Sequence, residues 1–115
     1  MEKKVNQIMT ELGMNPESSR TFAWLKEVIL MAVDIDTWQS DYLEIIGRRE
    51  GITRERVRQM IHKAVWDNWN ANSKTVLEKH FDSIELNFEY IKPNHIEFIA
   101  LISNELKKIE FLKTL

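Results

Sequence analysis

Apolar side chains fall at three- and four-residue spacing in a succession of segments, the signature of amphipathic helices. Val5, Ile8, Met9 and Leu12 form the first stripe, and Gly13 ends it. Asn15-Pro16 restarts the chain, with Pro16 suited to a first helical turn. From Ser18 or Ser19 to Val33, the residues Phe22, Leu25, Val28, Ile29, Ala32 and Val33 cover more than one face, which predicts a central core helix containing Trp24 and Met31. Tyr42, Leu43, Ile45 and Ile46 give a third helix its apolar side, with Ser40 or Asp41 as its cap. A fourth, from about 54 to 70, groups Val57, Met60, Ile61, Ala64 and Asn68. Ser73 is placed to cap a short helix through about Lys79. Ile84, Leu86 and Phe88 alternate as in a strand, but a lone strand has no partner, so residues 81–91 read as an irregular or short helical connector. Ile96, Ile99, Ala100, Ser103, Leu106 and Ile109 stripe a last helix from Asn94 to about Leu112, widened by Phe98, Leu101, Ile102 and Glu105. The pattern predicts one all-α domain over residues 1–115, with about six helices.

Residues 42–63, YLEIIGRREGITRERVRQMIHK, hold the chemistry. Gly47 is small where two crossing helices must approach closely, and Gly51 suits the left-handed residue that ends a helix. Ile52 plugs the turn and Thr53 is an N-cap for the helix that follows. Helix, glycine-containing turn, helix is the helix-turn-helix pattern, expected over about 41–70 and central in the fold. On the second helix Glu55, Gln59, His62 and Trp66 lie opposite Val57, flanked by Arg56, Arg58 and Lys63, with Arg54 at the start. Two-pronged donors and amides are the groups that pair with guanine and adenine edges. The expected partner is double-stranded DNA, read in the major groove by residues 54–70. Arg48, Arg49, Thr53 and Lys92 are candidate phosphate contacts, which position without specifying.

Two resemblances extend this reading. LEIIGRREGITRERVRQ, residues 43–59, is similar to the promoter-reading helix-turn-helix of housekeeping sigma factors, most closely over TRERVRQ. That similarity implies base-reading roles for Arg54, Glu55, Arg58 and Gln59. Nearly the whole chain resembles the C-terminal effector domain of the stage zero sporulation protein A family. VNQIMTELGM at 5–14, WLKEVILM at 24–31, RVRQMIHKAVWDNW at 56–69 and KPNHIEFIALISNEL at 92–106 carry it, in the family's order. The segment at 34–41 is several residues shorter than in that family. The resemblance implies DNA contacts from Arg56, Arg58, Gln59, His62 and Lys63, and neighbouring copies that meet partly through the final helix around 97–106. That gives a monomer or weak dimer in solution, pairing on DNA. It also implies a changed target. Where the family has a glutamate this chain has Arg58, where it has an arginine there is Gln59, and the next arginine and histidine are His62 and Lys63. The family's regulators hold the effector in check with a receiver domain. Only four residues precede Val5, so constitutive binding is expected.

Composition narrows the alternatives. With no cysteine in 115 residues, disulfides, thiolate metal sites and cysteine nucleophiles are excluded. Three glycines and two prolines leave little room for loops. The N-terminus has no long apolar core and the longest apolar run, residues 28–33, is too short to span a bilayer, so a cytoplasmic protein is expected. Net charge is −2, yet residues 48–63 hold six Arg or Lys and two Glu, a local +4 that leaves −6 on the remainder. A basic patch on an acidic body suits a specific binder. Asp34, Asp36 and Asp41 read as helix caps rather than metal ligands, and no cofactor is expected. His62, His80 and His95 lie far apart in sequence, and no phosphate loop, nucleophile motif or acid–base pair is evident, so an enzyme is not expected. The alternative function is a sigma-like interaction module that docks on RNA polymerase or a sigma factor.

Overall fold

The computed structural model describes residues 1–34, 41–84 and 92–115, apart from the side chain of Asp41. Among these, six helices and no strand are present: α1 (Glu2–Glu11), α2 (Arg20–Asp34), α3 (Asp41–Glu50), α4 (Arg54–Asn68), α5 (Ala71–His80) and α6 (His95–Lys113). The all-α, six-helix expectation therefore holds. No helix among the described residues is long and apolar enough to cross a membrane.

α2 is the hub. It packs against α1, α3, α4 and α6, because its apolar residues face several directions: Trp24, Leu25, Val28, Ile29 and Ala32 are all buried. α1 adds Val5, Ile8 and Met9 to the same core, and α6 adds Phe98, Ile99, Ile102 and Leu106. α5 packs against α1. Lys79 of α5 bonds Glu11 at 3.1 Å, and the His80 ring pairs with the same carboxylate.

Local chemistry sets the helix ends. Gly13 takes φ +81, and Met14 N–H donates to the Met9 carbonyl at 2.8 Å, closing α1 by the six-to-one bond of a glycine cap. Ser19, of the two expected serines, caps α2: its Oγ accepts from the N–H groups of Thr21 (3.1 Å) and Phe22 (3.4 Å). Pro16 lies in the preceding turn rather than in the first turn of α2. There Asn15 Oδ1 accepts from Glu17 N–H at 2.9 Å.

The expected start of α5 is corrected. Asn70, not Ser73, is the N-cap, and its Oδ1 accepts from Asn72 N–H (2.8 Å) and Ser73 N–H (3.3 Å). Ser73 Oγ accepts in return from Asn70 N–H at 3.1 Å, so Ser73 is the third helical residue of a capping box and 1% exposed. α4 ends correspondingly earlier, at Asn68. Asn94 and Glu97 form a second capping box at the start of α6. The expected cap at Ser40, Asp36, and the alternating Leu86 and Phe88 lie outside the described residues, as does the side chain of Asp41, the first residue of α3.

Two apolar residues do not sit where their stripes put them. Ile45 is 51% exposed, because α3 packs through Tyr42, Leu43, Ile46 and Gly47. Ile96 is exposed too, because α6 turns His95, Phe98, Ile99 and Ile102 inward.

Candidate nucleic-acid interface

α3 and α4 are joined by residues 51–53 and pack directly against each other. Gly51 takes φ +71, the left-handed conformation that costs glycine little. Ile52 N–H donates to the Gly47 carbonyl at 2.9 Å, and Thr53 Oγ1 accepts from Arg56 N–H at 3.1 Å to begin α4. Gly47 sits at a close approach of α3 to this turn. A Cβ placed on it would lie 2.8 Å from the Ile52 carbonyl oxygen and 3.3 Å from Arg54 N. The inner side of α4 is fixed by Val57, Ile61 and Val65, all buried. Beyond the helix end, Trp69 meets the Phe98 ring edge to face at 6.3 Å.

The outer side of α4 divides into two borders. Along one run Glu55, Arg58, His62 and Trp66. Arg58 Nε donates to both Glu55 carboxylate oxygens, at 3.0 and 2.9 Å, and Arg58 Nη2 also donates to Oε1. The hydrogen bond from Arg58 holds the Glu55 carboxyl below its ordinary pKa, and the same bond raises that of the guanidinium. His62 stacks on Trp66 at 5.7 Å and meets His95 edge to face at 5.5 Å, with the two Nδ1 atoms 3.4 Å apart. Burial, and then the neighbouring His62, push His95 down to about 4. The Lys92 ammonium lies 5.3 Å from the centre of the Trp66 ring, a cation–π contact. Lys92, 29 positions beyond Lys63 in the numbering, is thus brought onto α4.

Along the other border run Arg56, Gln59, Lys63 and Asp67. Lys63 bonds Asp67 at 2.7 Å, and Arg56 has no carboxylate partner among the described residues. These side chains form one wall of an open groove of about 550 Å³, whose other wall is Ser19, Thr21 and Phe22 at the start of α2. Arg54 is half-buried at the head of the helix.

The four expected phosphate contacts separate. Lys92 joins the α4 face, as above. Thr53 is exposed, with its hydroxyl oxygen engaged as the cap. Arg48 is exposed on α3 and pairs with Glu44 at 3.1 Å. Arg49 is held by a bidentate bond to Glu27 of α2, at 2.8 and 3.0 Å, with Glu50 3.2 Å from its Nε. It ties α3 to α2, and those carboxylates raise its pKa. Sequence reasoning missed Ser19 and Thr21, more than 30 positions before Arg56 and carrying no motif of their own.

Among the described residues no group of three or more His, Asp or Glu could hold a metal ion. No protein-family model matches the chain, and no solved structure matches it significantly.

Proposed function

We propose that the chain is a cytoplasmic, sequence-specific double-stranded DNA-binding transcriptional regulator, built around a helix-turn-helix formed by α3 and α4. The observation that carries this is the close seating of α3 on the turn at Gly47, with α4 presenting Glu55, Arg56, Arg58, Gln59 and Lys63 outward over a buried inner edge. An α-helix about 10–12 Å across fits a major groove about 12 Å wide, so such a helix reaches base edges directly. Arg58 and Gln59, implied by both resemblances, are assigned the central base contacts, with Arg54, Glu55 and His62 around them. His62 is half-buried against Trp66 and His95, so it reads at the margin of the face. Because one such helix covers few base pairs, two copies load together. The inward turn of Phe98, Ile99, Ile102 and Leu106 leaves Glu97, Ala100, Leu101 and Asn104 as the surface of α6 within 97–106 that a neighbour can meet.

Selection of bound duplexes from a random pool, followed by titration of the purified chain, tests this. A common enriched sequence is expected, bound with a log–log salt slope of about −0.9 per phosphate neutralised. A pool that stays random through selection refutes it. The exposed Ile45 on α3, together with Trp66 at 41% exposure on α4, favours one second reading, a module that docks on RNA polymerase. Capture of purified polymerase by a chain that enriches no duplex selects that reading.

A further inference from the structure

If α4 enters a major groove, it nearly fills it, and a phosphate backbone runs past each of its borders. The border with Lys92 already carries a cation for one strand. Arg49, the residue from which sequence offered another, is held by Glu27 instead. We propose that the groove between the start of α2 and the Arg56–Lys63 border of α4 seats the second DNA backbone strand, with Arg56 and Lys63 on one wall and the hydroxyls of Ser19 and Thr21 on the other as phosphate contacts. The inference rests on the reading of α4 as the DNA-reading helix. It assigns Arg56 and Lys63 to backbone rather than base contact, and it adds two residues of α2 to the interface.

The chemistry of the walls fits a phosphodiester. Arg56 has no carboxylate partner among the described residues, so its guanidinium is available to a phosphate without first breaking an ion pair. Lys63 is exposed and engages Asp67 through one of three ammonium protons, leaving donors for a second oxygen. Asp67 is the one acid in the lining, and its pairing with Lys63 neutralises it locally. Ser19 Oγ accepts from two backbone N–H groups, which leaves its hydroxyl proton to donate outward. The Thr21 hydroxyl has no partner among the described residues and lines the same groove. There is no acidic residue in the first turn of α2 to repel a strand lying there.

Thr21→Glu tests the assignment, because it places an anion on the groove wall. An acid in a first helical turn favours the helix, so weaker binding by this variant is not misfolding, and an unchanged or raised melting temperature by circular dichroism confirms that. The probes are the duplex enriched from a random pool and an unrelated duplex of the same length, each titrated at several salt concentrations. Thr21→Glu is expected to weaken both by the same factor, about tenfold, with the order of preference unchanged. Arg56→Gln should lower the magnitude of the salt slope by about 0.9 on both duplexes. Wild-type affinity of Thr21→Glu for both duplexes overturns the groove assignment alone. So does weakening confined to the selected duplex, which would make the groove a base-reading surface. If the wild-type chain binds neither duplex, the reading of α4 falls and the groove with it.

Discussion

Replacing Gly47 by alanine tests how closely α3 is seated on the turn before α4. The added methyl would stand 2.8 Å from the Ile52 carbonyl oxygen, 3.3 Å from Arg54 N and 3.4 Å from Thr53 C, where ordinary contact begins at 3.4 Å. All three are backbone atoms, so no side chain can swing aside. The turn they belong to is fixed from both ends, by the Ile52 N–H bond to the Gly47 carbonyl and by the Thr53 cap. Alanine inside a helix gains about 1 kcal/mol over glycine. Overpacking of this kind costs about 1–3 kcal/mol, and the immobile neighbours put this site at the upper end. The balance is a net loss of about 1–2 kcal/mol, or a fall in melting temperature of roughly 4–8 °C for a chain of this size. Gly51 supplies the control. A Cβ there meets nothing within 4 Å, but φ is +71, so alanine loses about 1–2 kcal/mol through backbone strain alone. Asparagine, which tolerates that conformation, should recover part of the loss at 51 and none at 47. Thermal and urea unfolding followed by circular dichroism reads all four variants. A Gly47→Ala chain that melts at or above the wild type refutes the close seating, and with it the packing on which the functional reading rests.

Asn70→Ala removes both acceptor bonds of the first capping box and should destabilise the chain by about 1 kcal/mol in urea unfolding. Stability should also fall as pH drops from 6.5 towards 4. In that window the unfolded chain takes up a proton on His95 that the folded chain, with its pKa held down to about 4, does not. His95→Gln should flatten the slope of unfolding free energy against pH between 6.5 and 5.5, above the range where the unfolded chain's Glu2, Glu11, Glu55 and Glu105, all lowered in the folded chain, take up protons. An unchanged slope would remove His95 as its source. Arg58→Ala should weaken binding to the selected duplex about ten- to a hundredfold and relax preference at one base pair, and affinity equal to wild type would remove it from the reading face. Arg49→Gln should lower stability by less than about 1 kcal/mol, and less still in high salt, which a salt series of urea melts would show.

Most helices were legible because their inner residues repeat at helical spacing and their ends carry glycine or a capping side chain. The turn around Gly51 was legible for the same local reason: its cap, plug and left-handed residue are adjacent in sequence. What failed was competition between neighbours. Asn70 and Ser73 can each cap a helix, and the choice fell to Asn70 because Ser73 can then return a bond from a buried position. Ile45 reads as core by composition, but its angular position on α3 turns it outward. In the candidate site the residue types were legible and their partners were not. The Arg49–Glu27 bond spans 22 positions and the His62–His95 contact 33, distances over which no local pattern speaks. Arg56 and Lys63 looked equivalent to Arg58 until α2 and α6 were seen to border opposite sides of the helix.

The inner edge of α4 has a consequence for how such a chain diversifies. Val57, Ile61 and Val65 anchor the helix at four-residue intervals and are fully buried. Glu55 and Gln59 lie in the gaps and point into solvent. Exchanges at those two outward positions therefore carry little folding penalty, since surface substitutions usually shift stability by under about 0.5 kcal/mol. The helix behaves as a fixed handle with an interchangeable key. If α4 is the DNA-reading helix, new target preferences can accumulate at such positions without the compensating core changes that would slow their divergence.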